Sequence, residues 1–182
     1  MGRLPERVEG NEVLLRLWQV GDAAGLGEAV AESAEHLRPW MAWMADEPQT
    51  PEQRRAMLAR WEAEWSAGGD AYYGIFLDGA VIGSCGLHRR LGADVLEIGY
   101  WIHAAFVRRG FATEAARLLT DAALSIPEIS AVEIHHDKAN IASFGVPRRL
   151  GYRLVGEQRD EATAPGDTGD ECVWRIESSE WR

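Results

Sequence analysis

The first half of the chain changes from a two-residue to a helical spacing of apolar residues. The segment EVLLRLWQ at 12–19 alternates around Leu and Trp, which predicts a first strand. The segment 21–44 has the pattern of one or two short helices interrupted near Pro39, because proline removes a backbone donor from a helix. The chain is therefore expected to begin with a strand followed by helices.

A longer helix and a hairpin come next. The helix is predicted over 50–68, with Thr50 as its N-cap and Gln53 at the capping-box position. Two β-rich runs then flank Asp78 and Gly79, and Asp-Gly is a strong hairpin signal. Two antiparallel strands should follow the helix.

The second half alternates strands and helices. The predicted strands are 94–103, 131–137, 152–160 and 171–178, and the predicted helices are 110–124 and 140–151. The acidic, Gly-containing segment 160–170 is predicted to be a mobile loop. This order indicates one domain over 1–182 with an α+β fold and a mixed sheet.

Composition and charge exclude several classes of protein. Acidic residues outnumber basic ones by 29 to 19, for a net charge of −10, which argues against nucleic-acid binding because phosphate neutralisation drives that affinity. No run reaches the ~20 apolar residues of a membrane span. The two cysteines, Cys85 and Cys172, lack metal-ligand spacing. We expect a cytoplasmic protein that binds neither nucleic acid nor membrane.

The segment 107–113 joins a strand to a helix through a basic, Gly-containing turn. The start of a helix leaves backbone N–H groups unpaired and carries the positive end of the helix dipole. Gly110 and Ala112 are small enough for close approach of a ligand, and Arg108 and Arg109 add charge. The turn therefore predicts an anion site suited to a pyrophosphate. It has neither the Walker nor the dinucleotide glycine pattern, and a simple tight turn remains the alternative.

LEIGYWIHAAFVRRGFATEAARLL, starting at Leu96, and NIASFGVPRRLGYRLVGE, starting at Asn140, resemble the GCN5-related N-acetyltransferase (GNAT) superfamily. The resemblance is to its ribosomal-protein N-terminal (RimJ/RimL-like) acetyltransferase branch, and it spans most of the chain. The family loop has Gln or Arg, two variable residues, Gly, any residue, and Gly or Ala. Here Val107 departs from that pattern at the first position.

The resemblance implies a fold and a cosubstrate. The fold is the GNAT fold, with a mixed, largely antiparallel central sheet of about seven strands flanked by helices. Acetyl-CoA would be the acyl donor, with its pyrophosphate on the turn and its pantetheine along the strand edge at 94–102. The residues that the resemblance assigns to acetyl-CoA are Tyr100, Trp101, Ile102, Arg108, Arg109, Gly110, Phe111, Ala112, Thr113 and Asn140.

Acyl transfer to an amine needs a proton acceptor for the amine. Alternate residues of a strand point to opposite faces, which places Glu97 on the less apolar face of its strand, beside Gly99. Glu97 is thus a candidate base, acting directly or through water, with a solvated strand acid as the alternative. An α-amine is easier to deprotonate than a lysine amine by roughly 4 kcal/mol, which favours a protein or peptide N-terminus as the acceptor.

The departing thiolate needs a proton donor. Ser143 follows the predicted N-cap Asn140, at the position where the resembling branch has a serine near the CoA sulfur. Completing the helix cap is the alternative role for Ser143. Other superfamily members use a tyrosine slightly further along, and Tyr152 is the nearest candidate.

The remaining polar and aromatic residues carry weaker signals. The adjacent His135 and His136 should point to opposite faces of a strand, so no metal site is predicted. In the superfamily the acceptor pocket usually includes the region of Trp40 and Trp43, with core packing as the alternative for both. Glu32 and Glu35 lie nearby in the sequence as possible contacts for a cationic group.

These observations favour an acetyl-CoA-dependent N-acetyltransferase that uses direct attack in a ternary complex. Three alternatives stay open: a small-amine acetyltransferase for polyamines or aminoglycosides, a non-catalytic acyl-CoA-binding module, and an enzyme with a longer donor such as succinyl-CoA. Related domains often form homodimers.

Overall fold

A single sheet organises the computed structural model of the protein, which describes residues 2–181. Within that range eight strands lie in the order β1-β2-β3-β4-β5-β6-β8-β7. The strands are β1 (Arg7–Glu9), β2 (Leu14–Leu17), β3 (Ala71–Leu77), β4 (Ala80–His88), β5 (Val95–Ile102), β6 (Ala131–Asp137), β7 (Arg153–Arg159) and β8 (Asp170–Glu177). Of the neighbouring pairs, only β5 and β6 are parallel. The predicted α+β fold with a mixed, largely antiparallel sheet is confirmed, with the short β1 as an additional strand.

Five α-helices accompany the sheet in the described residues. They are α1 (Ala23–Glu32), α2 (Ala34–Leu37), α3 (Pro51–Ser66), α4 (Phe111–Leu124) and α5 (Ile141–Arg149). The predicted capping box of α3 is present: Thr50 Oγ1 accepts from Gln53 N at 3.2 Å, and Gln53 Oε1 accepts from Thr50 N at 2.8 Å. The break between α1 and α2 falls at Ser33, whose Oγ accepts from Ala104 N, and Pro39 follows the end of α2.

The two faces of the sheet carry separate apolar clusters. Leu96 and Ile98 of β5 belong to the cluster that includes Leu119 of α4. Trp101 belongs instead to the cluster that includes Leu26 of α1. This confirms that even-numbered and odd-numbered residues of β5 lie on opposite faces, as the two-residue period predicts.

Strands β5 and β6 separate towards the end of β5. Their pairing stops at Ile98 and Ile134, whereas β5 stays paired with β4 as far as Ile102. The N–H of His103 donates to Ile82 O of β4 at 2.9 Å. Because successive residues of a strand direct their backbone groups to opposite edges, those of Tyr100 and Ile102 face the opening, which we call the β5–β6 cleft.

The segment between β7 and β8 is tied to two other parts of the chain. Asp137 at the end of β6 accepts backbone N–H groups from Thr168 and Gly169 at 2.7 and 3.0 Å. Gly166 N donates to Pro39 O at 2.7 Å. These bonds join the loop to the end of β6 and to the segment just after α2, and its mobility stays a prediction.

Candidate active site

A cavity of about 940 Å³, the larger cavity, lies where the end of β5 meets the N-termini of α4 and α5. It includes the open side of the β5–β6 cleft. The predicted site residues that line it are Tyr100, Trp101, Ile102, Arg108, Gly110, Phe111, Ala112, Thr113, Asn140 and Ser143. Residues separated by more than 40 positions are thus brought together.

The N-terminus of α4 has the geometry of the anion site that the turn predicts. Gly110 is its N-cap, with a left-handed φ of 91° and no side-chain cap, and Glu114 N makes the first intrahelical bond to Gly110 O. The backbone N–H groups of the three residues between them therefore have no partner within the helix. Together with the helix dipole they favour a bound anion.

Two of the loop residues lie differently from the rest. Arg109 is absent from the lining of the larger cavity, and its guanidinium lies over the rings of Phe106 and Phe111, 5.4 and 5.0 Å from their centroids. Val107 packs partly against the core as well as lining the cavity. At the position where the family has Gln or Arg, the apolar side chain of Val107 therefore packs against the core. The backbone amides of the turn remain available to a ligand.

Three basic side chains that the sequence did not indicate also line the larger cavity. They are His36, Arg117 and Arg149. Arg117 lies one helical turn after Thr113 on α4, and that four-residue spacing is a signal that could have identified it. Arg149 ends α5, and only the packing of α5 against α4 brings it to the cavity.

The N-terminus of α5 faces β5 across the cleft. Asn140 caps it, with Oδ1 accepting from Ser143 N at 3.3 Å, as predicted. The Tyr100 hydroxyl donates to Ser143 O at 3.3 Å, and burial raises the pKa of Tyr100, so the hydroxyl keeps its proton. Ser143 lines the cavity, where it can meet a ligand.

Tyr152 lies away from this cavity. Its hydroxyl is 2.6 Å from Thr120 Oγ1, which itself donates to Ala116 O at 2.7 Å. The Tyr152 hydroxyl is therefore the donor in a buried bond between the chain before β7 and α4. This geometry favours Ser143 over Tyr152 as the residue near a bound thiol.

A second cavity of about 400 Å³, the smaller cavity, lies on the α1 and α3 face of the sheet. Its wall is largely apolar and aromatic, with Met41, Met57, Trp43, Trp61 and Tyr72 among the lining residues. It shares Met41, Tyr100 and Trp101 with the larger cavity. The two cavities therefore meet at the end of β5.

The wall of the smaller cavity contains polar groups as well. Gln49 Oε1 is buried without a hydrogen-bond partner, and an unpaired buried acceptor is available to a ligand donor. Arg54 and Glu47 form an ion pair at 2.7 Å. Their side chains are only 6% and 8% exposed, so the pair fixes the start of α3 against the cavity.

Glu97 lies beside the smaller cavity without being among its lining residues. Its carboxylate is 14% exposed and lies 3.4 Å from Arg90 Nε. Its register partner on β4 is His88, which does line the cavity. The role of Glu97 as a base stays a prediction, and His88 is a residue that the sequence analysis missed.

The residues that the sequence suggested for the acceptor pocket lie in different places. Trp40 lines the larger cavity and Trp43 the smaller one. Glu32 is 3.0 Å from His103 Nε2, and Glu35 lines neither cavity.

The two adjacent histidines of β6 share no partner. His135 contacts Glu133 and Glu171, whereas His136 accepts from Trp174 Nε1 at 3.0 Å. No group of three potential metal ligands occurs in residues 2–181. In the same range no helix combines the length and apolar character needed to cross a membrane.

Comparison with known proteins identifies the family. The model of the Acetyltransferase (GNAT) domain matches residues 12–153, so the chain belongs to the GNAT acetyltransferases and is an acyltransferase. A Bacillus subtilis (strain 168) protein named "Putative ribosomal N-acetyltransferase YdaF" is 26% identical over 170 residues, covering 93% of each chain. The resemblance inferred from the sequence is thus confirmed.

Solved structures share the fold. The crystal structure of a "Probable acetyltransferase" has a TM-score of 0.88 and 27% identity, covering 96% of this chain and 98% of that one. Mycobacterium smegmatis RimJ in complex with CoA-disulfide has a TM-score of 0.84 and 23% identity, covering 97% and 89%.

Proposed function

We propose that the protein is an acetyl-CoA-dependent N-acetyltransferase that acts on the α-amine of a protein or peptide. The observation that carries the proposal is the meeting of the two cavities at Tyr100 and Trp101. A thioester in the larger cavity and an amine in the smaller one would face each other there. Direct attack in a ternary complex needs that proximity.

The larger cavity fits acetyl-CoA in three respects. The unpaired amides and dipole of α4 suit a pyrophosphate, with Thr113 adding a hydroxyl. The free edge at Tyr100 and Ile102 offers backbone groups to the amides of a pantetheine. Ser143 is then the proton donor for the departing thiolate. RimJ of M. smegmatis, which shares the fold, forms a complex with CoA-disulfide.

The acceptor assignment depends on the smaller cavity. Its volume of about 400 Å³ admits the first residue or two of a peptide but not a folded surface. An α-amine is partly neutral near pH 7.5, unlike a lysine amine. The B. subtilis relative YdaF, which is named as a ribosomal N-acetyltransferase, matches 93% of the chain. We infer a chain N-terminus as the acceptor and a cytoplasmic site of action.

The test is thiol release from acetyl-CoA with separate pools of N-terminal peptides, lysine peptides, polyamines and aminoglycosides. Each N-terminal peptide is paired with the same peptide blocked at its α-amine. Release with the free peptide and none with the blocked one is expected. Thiol release with polyamines or aminoglycosides alone would show that the acceptor is a small amine and not a peptide N-terminus.

The acyl donor is tested in the same assay. Acetyl-CoA and succinyl-CoA compete for one enzyme sample, and acetylated product should dominate. A rise in melting temperature with acetyl-CoA but no thiol release in any pool would contradict the proposed acceptors.

A further inference from the structure

An aspartate–histidine pair lies at the edge of the smaller cavity. His88 Nδ1 is 2.8 Å from Asp70 Oδ2, and Asp70 Oδ1 accepts from Arg89 N at 2.7 Å. A carboxylate only accepts hydrogen bonds, so Nδ1 carries the ring proton in the neutral imidazole. Nε2 is then left as a free acceptor.

The free nitrogen of His88 lies above two paired glycines. Gly86 of β4 and Gly99 of β5 are register partners. A Cβ at Gly86 would lie 2.9 Å from His88 Nε2, and one at Gly99 would lie 3.4 Å from the same atom. The missing side chains therefore make the room that the imidazole occupies. His88 and both glycines line the smaller cavity.

His88 Nε2 lies beside Gly99, close to the end of β5 at which the two cavities meet. Gly99 immediately precedes Tyr100 and Trp101, which line both cavities. Glu97 lies two residues further from that point and is 3.4 Å from Arg90. The side chain of His88 therefore occupies part of the space beside Gly99.

Aromatic side chains hold the imidazole in place. Tyr72 meets it edge-on with ring centroids 5.1 Å apart, and Trp61 stacks on Tyr72 at 4.4 Å. Burial raises the pKa of Tyr72 to about 12, so that hydroxyl stays neutral. The charged or titratable groups around His88 include Asp70 before β3, Tyr72 on β3, Glu97 on β5, and Arg89 and Arg90 after β4. From α3, the charge of Glu64 acts on Tyr72.

We propose that His88, oriented by Asp70, is the general base that deprotonates the acceptor amine. This inference rests on the proposed function. The ammonium group of the acceptor loses a proton to His88 Nε2, and Asp70 balances the charge of the resulting imidazolium. His88 later releases this proton to solvent.

The neutral amine then completes the transfer. Its nitrogen forms a bond to the thioester carbonyl carbon, and the carbon–sulfur bond breaks with its electron pair on sulfur. The thiolate takes the second amine proton through the Ser143 hydroxyl. The products are the acetylated amine, CoA thiol and the proton held by His88.

The test compares three variants in the thiol-release assay: His88→Gln, Asp70→Asn and Glu97→Gln. His88→Gln should lower kcat about 100-fold, within the usual range for loss of a general base, without changing the melting-temperature rise caused by acetyl-CoA. The acid limb of its pH–rate profile should then follow the titration of the acceptor α-amine itself, at about pH 7.7–8.0. The deficit should shrink towards pH 9, where an α-amine is already neutral.

The other variants separate the possible roles. Asp70→Asn should lower kcat without changing the melting-temperature rise caused by acetyl-CoA, because the imidazolium loses its counter-charge. His135→Gln is the control. His135 lies on the same face of the sheet as His88 but outside the smaller cavity, so this variant should keep the wild-type pH–rate profile. A His88→Gln enzyme with the wild-type kcat and acid limb would overturn the proposal, and a limb that follows the amine in Glu97→Gln would identify Glu97 as the base instead.

A second measurement does not depend on turnover. The ¹⁵N NMR signals of the neutral His88 imidazole should show a protonated Nδ1 and an unprotonated Nε2. The opposite tautomer in the neutral ring would overturn the role of His88 even in a sample that releases no thiol. Absence of release from the wild type in every pool would instead contradict the proposed function.

Discussion

The proposed anion site at α4 depends on the backbone of one residue, Gly110. Its φ of 91° is in the left-handed region, where any other residue is strained by roughly 1–2 kcal/mol. Gly110→Ala should therefore lower the free energy of unfolding by about that amount. It should also turn the first amides of α4 and raise the Kd for CoA roughly tenfold, which is ~1.4 kcal/mol. Calorimetry measures both quantities.

A second glycine provides the control for that substitution. Gly21 has no left-handed φ, and a Cβ there would meet nothing within 4 Å. Gly21→Ala should change the free energy of unfolding by less than about 0.5 kcal/mol. An unchanged Kd for CoA in Gly110→Ala would show that the turn does not bind the anion.

Ser143 should matter for turnover and little for binding. Its backbone N–H, which Asn140 caps, is retained in Ser143→Ala, so α5 keeps its start. Loss of the proton donor should lower kcat by about 10²-fold and change the Kd for CoA less than twofold. Ser125→Ala, at the exposed end of α4, is the matched control. A normal kcat in Ser143→Ala would exclude Ser143 as the acid.

Sequence reasoning predicted the local geometry of residues wherever that geometry depends on immediate neighbours. Gly110 and Thr113 follow from one strand-to-helix turn, and Asn140 from a helix start. His88 and Asp70 are 18 positions apart and meet only through the pairing of β3 with β4. The alternation in GSCGLH places Gly86 and His88 on one face, but the register with Gly99 is a property of the sheet.

At the scale of elements, α4 is joined to the start of β7 by the buried Tyr152–Thr120 bond. Tyr152→Phe removes the donor and leaves Thr120 bonded to Ala116. The expected loss is about 1 kcal/mol, or roughly 2–4 °C in Tm, with kcat unchanged. Thermal unfolding and the thiol-release assay measure these effects. A tenfold fall in kcat would restore Tyr152 as the candidate acid.

The same distinction between local and long-range signals holds for whole elements. Helices α3 and α4 and the turn at Asp78 and Gly79 were predictable because their caps and turn residues lie within a few positions. Strand β1 has only three residues and so shows no period. The β5–β6 cleft depends on where pairing stops, which no single segment of sequence specifies.

For the molecule as a whole, the net charge of −10 conceals a local excess of positive charge. The larger cavity is lined by Arg108, Arg117 and Arg149, with Glu114 as its acidic lining residue. Glu114 Oε1 in turn accepts from Asn11 N and Glu12 N. Composition argues against a nucleic-acid binder but could not locate this basic site, because only the fold brings α4 and α5 together.

The pH dependence of stability should reflect His135, which lies between two carboxylates. Burial opposes its charge, but hydrogen bonds to Glu171 and Glu133 outweigh burial and raise the pKa of His135 to about 9. In the unfolded chain a histidine titrates near 6.5. Between these values the folded state retains a proton that the unfolded state has lost, so the free energy of unfolding falls as pH rises.

The expected contribution of His135 is roughly 2 kcal/mol at pH 6, after allowance for solvent screening, and it is lost by about pH 9. Urea unfolding at intervals from pH 6 to pH 9.5 measures it. In His135→Gln this decline should be absent, whereas His36→Gln, at an exposed histidine, should keep it. Because Glu133 retains Arg175 and Glu171 retains Gln158 as partners, the variant should still fold. An equal decline in wild type and His135→Gln would show that His135 is not charged in the folded protein.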